Sequence, residues 1–600
     1  MLRSFLLFFA SLMVALVACD CGSNPPPVKE ECTANQLECV RDGETVCVTY
    51  NDSDLCEPWE QCSNATCDAN GDVVCTCVPK PPLNPGTRVA YAKSTQLANG
   101  ALIVAGYNPG LSNTQYHDLN VGWWNRTGSD DVCEQGTIVW ETVKGIPAGV
   151  VPSADPSGPR GGISATGDIV GKYTGIVALG EEGNDVLVTY HNATEGTLEA
   201  AYGTFTGTGP DDVSFEWTFH TIDPDGGIAV LWTDVTVGND GFPVVAYTVV
   251  KAPDLEEGIT QPQYSQRVAT ATVAAPAAPE DWTFETISEG NAHCSANIPC
   301  ATGYFCALAG YFGVCAEVVP ESAGGCTNSN DEFTCAKGGG IGSVSETCVS
   351  TSEIPAGFCD DEKHPGTCCV QAAELVDYPP TPGLYNDIEA TADGLALLSY
   401  SRPEGRLLLH RKTGAGWVGP TCIAGCQPSE DAGMDASMVV DGTTIHVAYT
   451  DGIGRGSVNY VRVNATNGNP DNNSRMIVDD GTAAYYADRT EPGFVGHNSD
   501  IAVVNGEVRI VYSDTALLES LIAHRAANAA NNVPWTIEAY GNLADDGHFP
   551  TIVVDALAEA GDVTLVTSTY RSTGRVQASN TCAYTYPLPE PELELEPETP

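Results

Sequence analysis

Three aspartates, Asp387, Asp435 and Asp500, stand at the starts of successive apolar segments in the C-terminal half of the chain. If those segments are neighbours in space, the carboxylates converge at one end of them, and Ca2+ is held by several such oxygens. Asp387, Asp435 and Asp500 are therefore the candidate metal ligands, against the alternative that they are strand-start acids on a solvated rim. His410-Arg411 and His524-Arg525 recur at matching places, where a shared packing role outweighs ligand binding. Asp68, Asn70 and Asp72 have calcium-loop spacing without the rest of such a loop. No HExxH, GxSxG or phosphate-binding glycine loop occurs, so zinc-protease, nucleophile-elbow and nucleotide chemistry lack local support. Glycoside hydrolysis needs two carboxylates at a set separation, and 78 Asp and Glu offer no means of choosing a pair. No catalytic residue is assigned.

The segments that would position these groups repeat. Each unit is a strand, a tight turn, and an apolar strand that usually ends near a tyrosine. The clearest are Ala436–Val440, Asp441-Gly442, Thr444–Tyr449, and Asp500–Val504, Asn505-Gly506, Val508–Tyr512. Asn-Gly and Asp-Gly suit the positive φ angles of a type I′ hairpin. Related turns fall at Asn99-Gly100, Gly183-Asn184, Asp240-Gly241, Asp393-Gly394 and Gly561-Asp562. A third strand follows in most units, and a fourth often carries an aromatic residue, as at Trp217, Trp282 and Trp535.

Four antiparallel strands repeated in this way predict an all-β fold, a seven-bladed β-propeller over residues 81–586; a sandwich pair or a solenoid is the alternative. Blade seven lacks a fourth strand after Arg575–Tyr586, and Thr87–Tyr91 is expected to complete it. Cys133 and Cys582 would then be neighbours and pair, while Cys422 and Cys426 pair across a short loop. At the level of fold a propeller resembles sialidases and related sugar-processing enzymes. That resemblance implies a propeller glycoside hydrolase or polysaccharide lyase as the alternative function, although the Asp-box pattern SxDxGxTW is absent.

Of the 24 cysteines, eight lie between Cys32 and Cys77 and ten between Cys294 and Cys369. Neither cluster has long apolar runs, so disulfides must replace a core in a module at 32–80 and in an insertion at 292–372 between blades three and four. The chain opens with Met1-Leu2-Arg3 and an apolar run that meets Cys19 and Asp20, too short to span a bilayer. Leu16-Val17-Ala18-Cys19 resembles the lipobox of bacterial lipoproteins. The resemblance implies a signal peptide at 1–18, lipidation of Cys19, a tether at 19–31 and attachment to a membrane of the bacterial cell envelope. A net charge of −52 excludes nucleic acid as a partner and leaves a protein or a glycan. Residues 587–600, rich in Pro and Glu, have the composition of a disordered tail. The expected function is a lipid-anchored binding scaffold.

Overall fold

The computed structural model describes residues 36–41, 44–49, 60–79, 89–109, 117–127, 136–145, 167–180, 182–292, 294, 300–301, 304–309, 312–318, 326–329, 332–335, 346–350, 367–372, 383–402, 404–427, 430–451, 456–481, 495–514, 519–540, 546–555, 564–570 and 581–586. Cys19, Cys133 and the tail fall outside them. The chain divides into two compact units, Met1–Lys80 and Pro81–Pro600.

In the first unit two hairpins form, β1 (Gln36–Arg41) with β2 (Glu44–Thr49) and β3 (Glu60–Cys67) with β4 (Val73–Pro79). A disulfide joins Cys39 to Cys67, and Cys47 and Cys75 are also disulfide-bonded. Asp68 Oδ1 accepts the N–H groups of Asn70 at 2.8 Å and Asp72 at 2.9 Å, so the carboxylate closes a turn.

The second unit is a β-propeller. Its first blade is β5 (Ala90–Gln96), β6 (Leu102–Asn108), β7 (Asp118–Asn125) and β8 (Thr137–Lys144); its second is β9 (Val170–Leu179), β10 (Asp185–Asn192), β11 (Thr197–Phe205) and β12 (Phe215–Asp223). The third is β13 (Ala229–Val237), β14 (Pro243–Lys251), β15 (Gln263–Ala271) and β16 (Trp282–Asn291). Next along the chain come β17 (Tyr304–Ala309), β18 (Phe312–Val318), β19 (Cys326–Ser329), β20 (Glu332–Cys335), β21 (Glu346–Ser350) and β22 (Thr367–Ala372). They form a separate four-stranded sheet in the order β17-β18-β22-β21 and a hairpin, with a Cys300–Cys315 disulfide. Blade four is β23 (Leu384–Thr391), β24 (Gly394–Ser401), β25 (Arg406–Thr413) and β26 (Gly416–Ala424), and a disulfide joins Cys422 to Cys426. Blade five is β27 (Ala432–Asp441), β28 (Thr444–Asp451), β29 (Val458–Asn464) and β30 (Pro470–Asp479). Blade six is β31 (Val495–Val504), β32 (Glu507–Asp514), β33 (Glu519–Ala526) and β34 (Thr536–Ala539).

The expectation of seven four-stranded blades is corrected. Among the described residues six such blades are present, and the last sheet has three strands, β35 (Asp546–Val554), β36 (Thr564–Tyr570) and β37 (Thr581–Tyr586). Of Thr87–Tyr91, expected to complete that sheet, Thr87 and Arg88 lie outside the described residues, and Ala90 and Tyr91 instead open β5, the innermost strand of blade one. The ring closes by side-chain packing of β35 on β5. Gln96 Nε2 donates to Asp555 Oδ1 at 2.7 Å, and the Ser94 and Thr551 hydroxyls share a hydrogen bond of 2.5 Å. Val89, Val104, Trp124 and Trp140 form an apolar cluster there with Ala583. Cys582 is disulfide-bonded.

The second strand of each blade explains the apolar runs. β6, β14 and β24 are buried along almost their whole length, because both faces of a blade are covered by its neighbours. Two tyrosines of the second strands reach back to acids: Tyr247 Oη donates to Asp223 at 2.6 Å and Tyr512 Oη to Asp479 at 3.0 Å. Asp223 and Asp479 close the outermost strands of the preceding blades.

Each inner strand also presses on the blade before it. Thr450 Oγ1 of β28 donates to the Gly496 carbonyl of β31 at 2.6 Å, and Thr248 Oγ1 of β14 does the same to Gly383, just before β23, at 2.6 Å. A Cβ on Gly496 would stand 2.7 Å from Thr450 Oγ1, at a φ of +100°. Gly496→Ala should therefore lower stability by roughly 2–5 kcal/mol, the sum of left-handed strain and overpacking. Gly241→Ala, at a turn with φ +82° and no atom within 4 Å, should cost only about 1 kcal/mol. Thermal unfolding of both variants with disulfides intact checks the contrast.

Candidate functional site

One residue near the start of each inner strand of the propeller has a left-handed backbone: Tyr91, Tyr173, Trp232, Tyr385, Asp435, Asn498 and Phe549, with φ between 47° and 55°. Each sits in a register shift against the second strand of its sheet, a β-bulge. Positive φ is uncommon for any non-glycine residue and is an outlier for a bulky one. All seven line a single cavity of about 100 Å³ on the propeller axis, at the end where the inner strands begin.

Five of the seven are aromatic and touch in sequence around the axis. Ring centroids are 5.3 Å apart for Phe549–Tyr91, 4.8 Å for Tyr91–Tyr173, 4.7 Å for Tyr173–Trp232 and 4.2 Å for Trp232–Tyr385. Successive planes are inclined by 39–53°, and Tyr91 also meets Trp232 edge-on, at 6.3 Å, so that the rings form one cluster. The remaining arc is polar, with Asp435 and Asn498. Asp435 Oδ2 lies 3.0 Å from Nδ1 of the exposed His497. Most other polar groups lining the cavity are already engaged. Asn386 Nδ2 donates to the Trp232 carbonyl at 3.1 Å and to Thr248 Oγ1 at 3.0 Å, and its Oδ1 accepts from Gln266 Nε2 at 2.9 Å. Ser499 Oγ donates to the Asp435 carbonyl at 2.6 Å, and Thr233 Oγ1 to that of Tyr173.

Two residues further along each inner strand stand Lys93, Gly175, Asp234, Asp387, Ser437, Asp500 and Thr551. The acids at this level bind backbone from the next inner strand. Asp234 Oδ2 accepts the Ile388 N–H at 2.9 Å, Asp387 Oδ2 that of Met438 at 3.0 Å and Asp500 Oδ2 that of Ile552 at 3.0 Å. Asp500 Oδ1 also accepts from Ser437 Oγ at 3.0 Å. Burial would lower the Lys93 pKa, but Asp234, Asp500, Asp387 and Glu389 together hold the ammonium above its ordinary value. Burial raises Asp387 well above the usual carboxylate range, with Asp234 adding to it, and raises Asp234 despite Lys93. Glu389 is pushed up to about 8, by burial first and by Asp234 and Asp500 after it.

The three aspartates singled out in the sequence are thus not equivalent. Asp387 and Asp500 occupy one level and fasten neighbouring sheets, whereas Asp435 sits two residues earlier, on the cavity rim, where its blade has Ser437 below. Among the described residues their oxygens do not gather, with any third ligand, within 4.8 Å of one another. The group that does is Cys294, Cys300 and Cys315, and all three are disulfide-bonded. His410 and His524 are buried, and His524 Nδ1 lies 2.9 Å from Glu507 Oε1.

Sequence reading missed Lys93, Asp234, Glu389 and the aromatic arc. A signal was present: the pentads Gly171-Lys172-Tyr173-Thr174-Gly175, Gly383-Leu384-Tyr385-Asn386-Asp387, Gly433-Met434-Asp435-Ala436-Ser437, Gly496-His497-Asn498-Ser499-Asp500 and Gly547-His548-Phe549-Pro550-Thr551 repeat ahead of the turns. Trp232-Thr233-Asp234 and Tyr91-Ala92-Lys93 carry the same ending without the glycine.

No protein-family model and no curated protein matches the chain. Among solved structures it is similar to a protein of unknown function from Dyadobacter fermentans, with 10% identity, TM-score 0.36, and 89% of this chain and 100% of that one covered. It is also similar to an α-L-arabinofuranosidase from Lactobacillus brevis (9% identity, TM-score 0.30, covering 69% and 89%). A third is the Trypanosoma rangeli sialidase in complex with the inhibitor DANA (8% identity, TM-score 0.32, covering 75% and 55%). At these values the likeness carries no inference about activity.

The axial charges set a pH dependence. Glu389 has an ordinary pKa of 4.5 and a folded value of about 8, so between the two the folded protein keeps a proton that the unfolded chain has released. Its contribution is fully present below the ordinary value and is lost as pH rises through the folded one. Glu389→Gln, which fixes the neutral form, should gain in melting temperature over the parent as pH rises from about 5 to about 8.5. A melting-temperature difference that stays flat across that range would exclude Glu389 as the source.

Proposed function

We propose that the chain is a lipid-anchored binding protein of the bacterial cell envelope, whose propeller presents the axial mouth to a protein or glycan ligand. What carries this reading is the mouth itself: five touching aromatic rings and a short acidic and amide arc, all on strained backbone, around an open cavity. Strain of this kind collects at ligand sites and persists where the surroundings hold it. A binding role is favoured over glycoside hydrolysis because the axial carboxylates of Asp234, Asp387 and Asp500 are engaged by backbone N–H groups, and Glu389 does not line the cavity. Attachment rests on the lipobox-like Leu16-Val17-Ala18-Cys19 and the basic, apolar segment before it.

A glycan array and a polysaccharide turnover screen, run on the same preparation, test the first part. Trp232→Ala and Tyr385→Ala should each weaken retention of a bound ligand by about tenfold or more, since buried aromatic anchors dominate such contacts. Release of sugar from any polysaccharide would overturn the binding assignment in favour of the hydrolase or lyase. For the anchor, Cys19→Ser expressed in a bacterial host should move the protein from the membrane to the soluble fraction and abolish incorporation of labelled palmitate.

A further inference from the structure

We infer that the group recognised at the axial mouth is a substituted ammonium, a quaternary or heavily methylated amine. This rests on the reading of the mouth as the ligand site and names the chemistry that would enter it. Three observations lead there.

The first is size. The cavity of about 100 Å³ opens to solvent at the mouth and takes a compact head group among its rings.

The second is the hydrogen-bonding inventory. A sugar or a primary ammonium needs several partners at once. Asn386, Ser499 and Thr233 line the cavity, but they are committed to carbonyls, Gln266 and Thr248 within the protein. A quaternary ammonium donates no hydrogen bond and loses nothing in such a site, whereas an ammonium with N–H groups would have to turn to the rim acceptors Asp435 and Asn498.

The third is electrostatics. Tyr91, Tyr173, Trp232, Tyr385 and Phe549 form a continuous aromatic wall, and ring faces attract a cation through their quadrupoles. Asp435 stands on the opposite rim as a counter-charge, and its field already raises the Tyr385 phenol after burial has done so. Lys93, the cation lining the cavity among the described residues, lies below, and its ammonium is already held by Asp234, Asp500, Asp387 and Glu389. The protein as a whole, at −52, concentrates cations near its surface.

Titration calorimetry of the full-length protein with choline, tetramethylammonium and 3,3-dimethylbutan-1-ol, the uncharged isostere of choline, tests the inference. Choline and tetramethylammonium should bind at least about tenfold more tightly than the neutral isostere, the difference a desolvated cation on aromatic faces makes. Trp232→Ala should weaken choline by about tenfold, Trp232→Phe by less, and Asp435→Asn should weaken choline while leaving the isostere unchanged. Melting temperatures of the variants confirm that they fold.

Equal binding of choline and its isostere would overturn the inference, as would choline binding that survives Trp232→Ala. If neither cation binds but a glycan or protein ligand is retained and then lost in Trp232→Ala, the ammonium chemistry is wrong and the mouth remains the site. If retention of that ligand survives both Trp232→Ala and Tyr385→Ala, the mouth itself is wrong.

Discussion

The axis of the propeller depends on one backbone device, the bulge beside the left-handed residue of each inner strand. A regular strand alternates its side chains between two faces, and inner strands converging on an axis have no room for that alternation. The bulge inserts an extra residue, bends the strand and re-aims one side chain at the axis. Each left-handed residue other than glycine costs about 1–2 kcal/mol, so the device persists only if both neighbours hold it. They do. In blades four and six the preceding blade's threonine hydroxyl fastens the glycine carbonyl ahead of the bulge. The following sheet's N–H fastens the aspartate just after it. Fold and mouth are one object, and loosening a fastening should relax the mouth as much as the blade contact.

Fastening with carboxylates creates a second constraint. Asp234, Asp387 and Asp500 come from three different blades and face a common axis in a strongly acidic protein. Like charges brought out of water raise one another's pKa, and burial does the same. Lys93, on β5, supplies the opposing charge to blades three, four and six, with which its strand shares no ladder hydrogen bonds. Coulomb attraction acts at distances where hydrogen bonds do not, so one ammonium on the first inner strand draws the far side of the ring toward it. The compensation is incomplete: Glu389 stays protonated up to about pH 8.

How far the sequence disclosed this follows from which forces are local. The turns at Asn99-Gly100, Asp240-Gly241, Asp441-Gly442 and Asn505-Gly506 were legible, since a hairpin is specified by two residues needing positive φ and by alternation on either side. The tyrosines ending the second strands were visible as a pattern, but what Tyr247 and Tyr512 do, a hydroxyl crossing to an acid of the preceding blade, is tertiary. Sheet membership at the seam was misread for the same cause: alternation in Thr87–Tyr91 cannot say whether a strand ends one blade or begins the next. Asp435 was grouped with Asp387 and Asp500 because all three were aligned on strand starts. Aligned on the pentad glycines Gly383, Gly433 and Gly496, it falls two places earlier and belongs to the rim. Lys93 was invisible to any search for acids, and its partners meet only when the ring closes.

The identity of the rim residues bears on what the mouth is for. Asn and Asp enter the left-handed region more readily than other side chains, because they bond to nearby backbone. Asn498 and Asp435 are therefore the low-strain solutions at this position, and asparagine throughout would support the same bulges at lower conformational cost. Tyr91, Tyr173, Trp232, Tyr385 and Phe549 are the strained solutions, and they are consecutive around the axis. Packing against one another recovers part of that strain, about 0.5–1.5 kcal/mol per aromatic contact. The same rings stay only half-buried, so the recovery is partial. Bulk that the bulge does not need, left facing an open cavity, has its physical consequence in that cavity: a wall of polarisable faces opposite a carboxylate.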